Sequence, residues 1–388
     1  MFPALMAFIS LLGIYLDPRL IFALMFILTL FYAIRFSGEH FKVLIAATFL
    51  SALACFMQKE IIYAAIFLTF FYDFRKDVPW DIAIYTSAAI LYFSLFSVIN
   101  NVFINPEYII FLSLAGALSA ALVESVETAA DKRMTMLICV ATTFAIFRIY
   151  IPNASLLSLA FAFAISSILS LFALKLKIAD KSGLISATIV GTLIILFTDI
   201  RFFTVLLVFY ILGSAITKYK YSIKLDLGIA EPSGGARGFS NVFGNSLAPL
   251  FFAIQFGATA NPLFISAFVS SVATALGDTM ASEVGKTAKN VYLITNFKKV
   301  EPGTSGGISL IGEISALAGC LIIFSSSLAL SLVDFNQLIP VVVSGFIGIH
   351  IDSFLGATLE KKGHINNFAV NFLATLFSGV ICYLLLVL

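Results

Sequence analysis

Apolar positions run along this chain in blocks of roughly 14 to 24 residues, separated by short polar stretches. Within a block the apolar residues follow one another continuously instead of alternating or keeping to one stripe. A helix rising about 1.5 Å per residue needs roughly 20 such residues to cross the hydrocarbon of a bilayer. The pattern therefore predicts an all-α protein, a polytopic transmembrane helix bundle of roughly 15 helices. The first block, MFPALMAFISLLGIYL, has neither a basic leader nor a small-residue cleavage site, and reads as a retained first helix. Composition agrees: 61% of residues are hydrophobic and 11% charged, where a water-soluble domain carries about a quarter charged residues. The bilayer is thus the first partner implied. A net charge of +2 over 388 residues gives no reason to expect nucleic acid.

The charged residues then orient the bundle. When alternate connections are assigned to opposite sides, one side collects all 23 lysines and arginines except Arg19, Lys59, Arg148 and Arg201. The positive-inside rule makes that side cytoplasmic, which places the N-terminus inside and the C-terminus outside a cell membrane. Outer connections such as TDIR and GATANP are turns, whereas the inner segments 218–236 and 284–306 are long, polar and glycine-rich. Function is expected on the cytoplasmic face of the C-terminal half. Cys55, Cys139, Cys320 and Cys382 stand singly in apolar runs, with no CxxC pair, and read as small core residues.

Four polar clusters converge on that face. In ALGDTMASEVGK, Asp278, Ser282, Glu283 and Lys286 occupy the inner end of a lipid-length helix. Carboxylates there need a partner, and a hard divalent cation suits oxygen ligands. In RGFSNVFGNS, Arg237, Asn241 and Asn245 recur every fourth residue, a stripe that must face protein or a polar cavity. In KKVEPGTSGGIS, Lys298 and Lys299 precede Gly303, Thr304, Ser305, Gly306 and Gly307, a loop with the backbone N–H groups and hydroxyls of an anion cradle. It is no Walker A loop, since the GKT at 285–287 has Met280 where that motif needs glycine. In the last cluster Asp352 lies within an apolar helix, and Asn367 and Asn371 are one turn apart at the start of the final one.

Together, ALGDTMASEVG, PGTSGGIS, RGFSNVFGNS and IDSFLGATLE followed by NNFAVNF resemble the membrane family that includes the plant phytyl-phosphate kinase of vitamin E synthesis. The similarity covers about residues 155–388 and divides the chain into an N-terminal transmembrane module, 1–153, and a prenyl-phosphate-kinase-like catalytic domain, 154–388. GDTMASEVGK is more distantly similar to polyprenol kinases and CDP-diacylglycerol synthases, whose corresponding aspartate serves the metal. The resemblance implies a CTP-dependent, Mg²⁺-requiring kinase that converts a prenyl monophosphate of phytyl or geranylgeranyl type to the diphosphate. Asp278 and Asp352 are then the catalytic carboxylates, and with Glu283 they are the metal ligands. Arg237, Asn241, Asn245, Ser282, Lys286, Lys299 and residues 303–307 are expected on nucleotide phosphates, and Lys218, Asn367 and Asn371 on the lipid substrate. In the N-terminal module, LSAALVESVETAADKRMTML resembles the closing segment of the polyprenol kinases, with Lys132 and Arg133 where an acidic pair would stand. That module is expected to be degenerate and structural.

The residues themselves suit phosphoryl transfer, which needs metal held by carboxylates, donors around the phosphates and in-line positioning. A free alcohol would also need a general base, and the carboxylates are wanted by the metal. A monophosphate is already ionised, and Arg237, Lys218, Lys286, Lys298 and Lys299 offer cations for it. The alternatives are a polyprenol kinase acting on the free alcohol and a secondary transporter, which would place its polar residues nearer the bilayer midplane. An intramembrane aspartyl protease fits less well, because Ala275 breaks the GxGD signature.

Overall fold

The computed structural model describes residues 2–35, 39–74, 77–126, 131–150 and 155–388, and divides into two compact units, Met1–Leu159 and Ala160–Leu388. The expected domain boundary at 153/154 falls outside the described residues, as do Arg75 and Lys76. Sixteen α-helices are described, fifteen of them on the predicted apolar blocks. Among the described residues nine helical stretches are long and apolar enough to cross a membrane, and four shorter apolar helices accompany them.

The first unit contains α1 (Phe2–Tyr15), α2 (Pro18–Arg35), α3 (Glu39–Leu53), α4 (Lys59–Thr69), α5 (Val78–Ile99), α6 (Pro106–Ser125) and α7 (Lys132–Ile149). Its centre is α4, buried from residue 61 to 69 against α1, α3, α5 and α7. Asp131 caps α7 through the Met134 N–H. Lys132 donates to the Glu124 carbonyl at 2.9 Å, and Arg133 lies 4.9 Å from the Tyr72 ring centroid. Lys132 thus ties α7 to α6, and Arg133 ties α7 to the turn that follows α4.

The second unit is built from α8 (Leu156–Lys175), which begins at the boundary, α9 (Lys181–Phe197), α10 (Ile200–Thr217), α11 (Tyr221–Asp226), α12 (Phe239–Thr259), α13 (Leu263–Gly285), α14 (Leu310–Ala329), α15 (Leu338–Leu355) and α16 (Asn367–Val387). Helix α13 is the axle, packed on α10, α12, α14, α15 and α16 and buried without a break from residue 266 to 277. Lipid tails are as apolar as the helices, so close approach and interhelical hydrogen bonds do the holding. A Cβ on Gly319 would lie 2.7 Å from the Gly277 Cα, which shows how closely α14 meets α13. Nearby, the Ser270 hydroxyl lies 2.7 Å from that of Ser344 and 2.6 Å from that of Ser378, tying α13 to α15 and α16.

Two elements depart from the sequence reading. Segment 218–236, expected as a loop, carries α11. Segment 284–306 contributes to a three-stranded antiparallel sheet of β1 (Val291–Leu293), β2 (Lys299–Val300) and β3 (Gly307–Ile308), in the order β2-β1-β3. Neither segment has the period or length that marks an element in sequence.

Candidate functional site

At one end of the second unit, the last turns of α10 and α13 meet the first turns of α12 and α16 around a cavity of about 270 Å³. Its wall includes Arg237, Asn241, Asn245, Asp278, Ser282, Glu283, Asn367 and Asn371. Four stretches far apart in sequence thus deliver their predicted polar residues to one place. The asparagines come from facing helices: a Cβ on Gly244 would touch the Asn371 Cβ at 3.4 Å.

Arg237 precedes α12 and is anchored through its backbone. Its N–H donates to the Ile178 carbonyl at 2.8 Å, and its carbonyl accepts from Asp180 at 3.2 Å. The guanidinium lies 5.0 Å from the Phe209 ring centroid and beside Gly213, where a Cβ would fall 2.7 Å from a terminal nitrogen. Any larger residue at 213 would displace it. Burial pulls its pKa below the ordinary arginine value, against the pull of Tyr210, Glu231 and Glu283.

Glu283 answers differently from expectation. One carboxylate oxygen is ion-paired with the buried Lys224 of α11, and the other accepts from Lys286 at 2.8 Å. Lys286 also pairs with Glu231 at 2.9 Å. Burial would lower the Lys286 pKa, but Glu231 and Glu283 outweigh it and hold the ammonium above its usual range. Glu283 is thus the hub of an ion network, with its oxygens engaged by lysines, and among the described residues no group of three His, Cys, Asp or Glu is disposed to hold a metal. The expected trio of Asp278, Glu283 and Asp352 does not form such a group.

Asp278 and Asp352 remain a pair. Asp278 is in the cavity wall; Asp352, from α15, is outside the lining but close enough for the charges of Asp278 and Glu360 to act on it. Their own carboxylates accept none of the side-chain hydrogen bonds found among the described residues. Like charges so placed call for a cation, and two carboxylates completed by phosphate oxygens and water suit Mg²⁺, which seldom takes an all-protein cage.

The glycine-rich loop packs on the end of α15 and on Glu360. Gly306, at φ +76°, packs so closely on α15 that a Cβ would lie 2.4 Å from the Ala357 Cβ, and Ser305 donates to Glu360 at 2.7 Å. Gly303, Thr304 and Gly307 complete the turn into β3, with the Gly307 N–H on the Thr304 carbonyl at 2.9 Å. None of residues 303–307 lines the cavity. Lys218 and Lys299 are exposed and also lie outside the lining, as does Lys298. The surplus of cations expected from sequence is therefore absent from the wall, which holds Arg237 while Lys224 and Lys286 are engaged by Glu283 and Glu231.

Lys224, Glu231 and Glu360 were not singled out in the sequence, where they are unremarkable charges in polar connections. Nothing in the sequence sets Lys224 apart from the lysines beside it; its burial on the short helix Tyr221–Asp226 comes from the fold.

The fold and the cavity define an integral membrane helix bundle whose polar site opens between helix ends. Residues 164–379 match the integral membrane protein family DUF92, and the chain belongs to that family. It is 34% identical over 215 residues to an uncharacterized membrane protein of Synechocystis sp., covering 53% of this chain and 83% of that one. An uncharacterized membrane protein of Methanocaldococcus jannaschii is 32% identical over 228 residues, 58% of this chain and 94% of that one. Protein VTE6, chloroplastic, of Arabidopsis thaliana is 32% identical over 215 residues, 53% of this chain and 65% of that one. No solved structure matches. The family resemblance read from the motifs holds.

Proposed function

We propose that this protein is a membrane-embedded kinase that transfers the γ-phosphoryl group of CTP to a prenyl monophosphate at the cytoplasmic face. The observation that carries this reading is the polarity of the cavity. Arg237 marks one part of it and Asp278 another, with Asp352 outside the lining behind Asp278 and the 303–307 loop packed on Glu360. The resemblance to the phytyl-phosphate kinase family and the match to VTE6 support the reaction class.

Three cations, Arg237, Lys224 and Lys286, stand here against five carboxylates, Glu231, Glu283, Asp278, Asp352 and Glu360. A triphosphate beside Asp278 and Asp352 needs a cation between the like charges. Mg²⁺, held by Asp278 and Asp352, would neutralise the charge developing on the transferred group. In the reaction an oxygen of the acceptor phosphate forms a bond to the γ-phosphorus as the β–γ bridging bond breaks, and CDP leaves with the electron pair. The acceptor is ionised at neutral pH, so no residue need remove a proton. The prenyl tail remains among the helices or in lipid while its head group enters the cavity. A transporter reading is less favoured, because the polar groups gather at helix ends. Transfer of label from γ-labelled CTP to a prenyl monophosphate by the purified protein tests the proposal.

A further inference from the structure

The cavity wall sets one arginine, Arg237, among the carboxylates Glu231, Asp278 and Glu283. Glu231 and Glu283, the carboxylates whose charges act on Arg237, are already joined to Lys286 and Lys224. Arg237 itself is 8% exposed, and among the described residues its guanidinium makes no ion pair and donates no hydrogen bond, although it lines the cavity. A guanidinium carries five N–H donors and does not lose its charge, so a buried one with nothing to donate to is costly unless a ligand supplies the acceptor. Its stacking on Phe209 and its fixed backbone leave it little freedom to find another partner.

The asparagines in the same wall supply neutral donors. Asn241 and Asn245 stand in the first two turns of α12, and Asn367 and Asn371 in the first two turns of α16. The Asn245 amide donates to the Asn241 carbonyl at 3.0 Å, and that of Asn371 to the Asn367 side chain at 3.3 Å. The Asn241 amide has no protein hydrogen bond among the described residues. Gly238, the cap of α12, has no side chain, and the Ser182 hydroxyl accepts from the Phe239 N–H at 2.9 Å, while Asn366 caps α16 by accepting from the Ala369 N–H at 3.0 Å. Free amide hydrogens beside an unpaired guanidinium suit one tetrahedral dianion.

We infer that Arg237, with Asn241, Asn245, Asn367 and Asn371, forms a metal-independent subsite for the phosphate monoester head group of the acceptor, separate from the metal-dependent nucleotide subsite at Asp278 and Asp352. The inference rests on the kinase reading for the word acceptor, but its binding chemistry stands by itself. The fork of the guanidinium matches two phosphate oxygens, which a lysine ammonium does not reproduce.

The test is equilibrium binding to the purified full-length protein in detergent, with geranylgeranyl monophosphate and dodecyl phosphate as probes, in EDTA and in Mg²⁺. Both probes bind in EDTA, and Arg237→Lys and Asn241→Ala each weaken them, Arg237→Lys by about 10-fold or more. CTP binds only with Mg²⁺, and neither substitution changes its affinity by more than about 3-fold, within the usual scatter of a distant change. Arg237→Met, which keeps the packing on Phe209, leaves the melting temperature of the ligand-free protein unchanged or raised while eliminating probe binding; an arginine with a purely structural role would lower it. Phosphate probes that bind only with Mg²⁺, or that bind Arg237→Lys as well as the wild type, overturn the subsite. Equal loss of CTP affinity assigns Arg237 to the nucleotide and overturns it too. Arg237-dependent probe binding without any CTP turnover leaves the subsite standing and removes the kinase; turnover with Arg237-independent probe binding does the reverse.

Discussion

Lys224, on a six-residue helix between two membrane helices, is completely buried in an ion pair with Glu283 near the end of α13. Its ammonium also donates to the Thr217 carbonyl at 2.7 Å, at the last residue of α10. One side chain therefore fastens the connecting segment to two helices that border the cavity.

Removing one partner of a buried ion pair strands the other charge, at a cost of about 3–5 kcal/mol, whereas replacing both is often nearly neutral. Lys224→Met should therefore destabilise the protein strongly, and Lys224→Met with Glu283→Met should recover most of the loss. Thermal unfolding of the two variants in one detergent checks this; a double variant no more stable than the single one would remove Lys224 from the network.

Asp278→Asn and Asp352→Asn should each lower phosphoryl transfer by about 10²-fold or more, the scale of one lost transition-state contact. Because neither carboxylate bonds to a side chain nearby, the melting temperature should hold or rise. Near-normal rates in both variants would dismiss the carboxylate pair from the chemistry.

Gly306 and Gly363 separate conformational strain from contact. Both have φ above +70°, but a Cβ at 306 would sit 2.5 Å from the Ser353 carbonyl oxygen, while one at 363 meets nothing within 4 Å. Gly363→Ala should cost about 1–2 kcal/mol from the left-handed backbone. Gly306→Ala should cost about 3 kcal/mol by adding overpacking, and should weaken Mg²⁺-dependent CTP binding as the loop lifts from α15. Equal effects at the two positions would mean that the loop does not bear on the nucleotide.

The residues legible in the sequence were those set against lipid. Arg237, Asn241 and Asn245 form a polar stripe leading down a helix otherwise destined for hydrocarbon, and such a stripe has to face something; the same holds for Asp278, Asp352, Asn367 and Asn371. The connecting segments gave no such contrast. Several lysines lie between 218 and 224, and only the fold chooses Lys224 for burial and leaves Lys218 in solvent. Glu360 was invisible for the same reason: it becomes part of the site only when Ser305, 55 residues away, packs against it. The ion pair that engages Glu283 was hidden because Lys224 lies 59 residues away in a connecting segment.

Orientation can be checked with single cysteines in a background where the four native ones are alanine. Lys299→Cys and Lys361→Cys should resist a membrane-impermeant thiol reagent in intact cells, and the exposed Asn336→Cys, in the turn before α15, should react. The reverse pattern would put the cavity on the outer face.

The central claim is tested most directly by incubating the purified protein with γ-labelled CTP, Mg²⁺ and either geranylgeranyl monophosphate or geranylgeraniol. The account predicts label in geranylgeranyl diphosphate, dependence on the metal, and no transfer to the alcohol. Transfer to the alcohol as readily as to the monophosphate, or no transfer to any prenyl monophosphate with CTP, would contradict it.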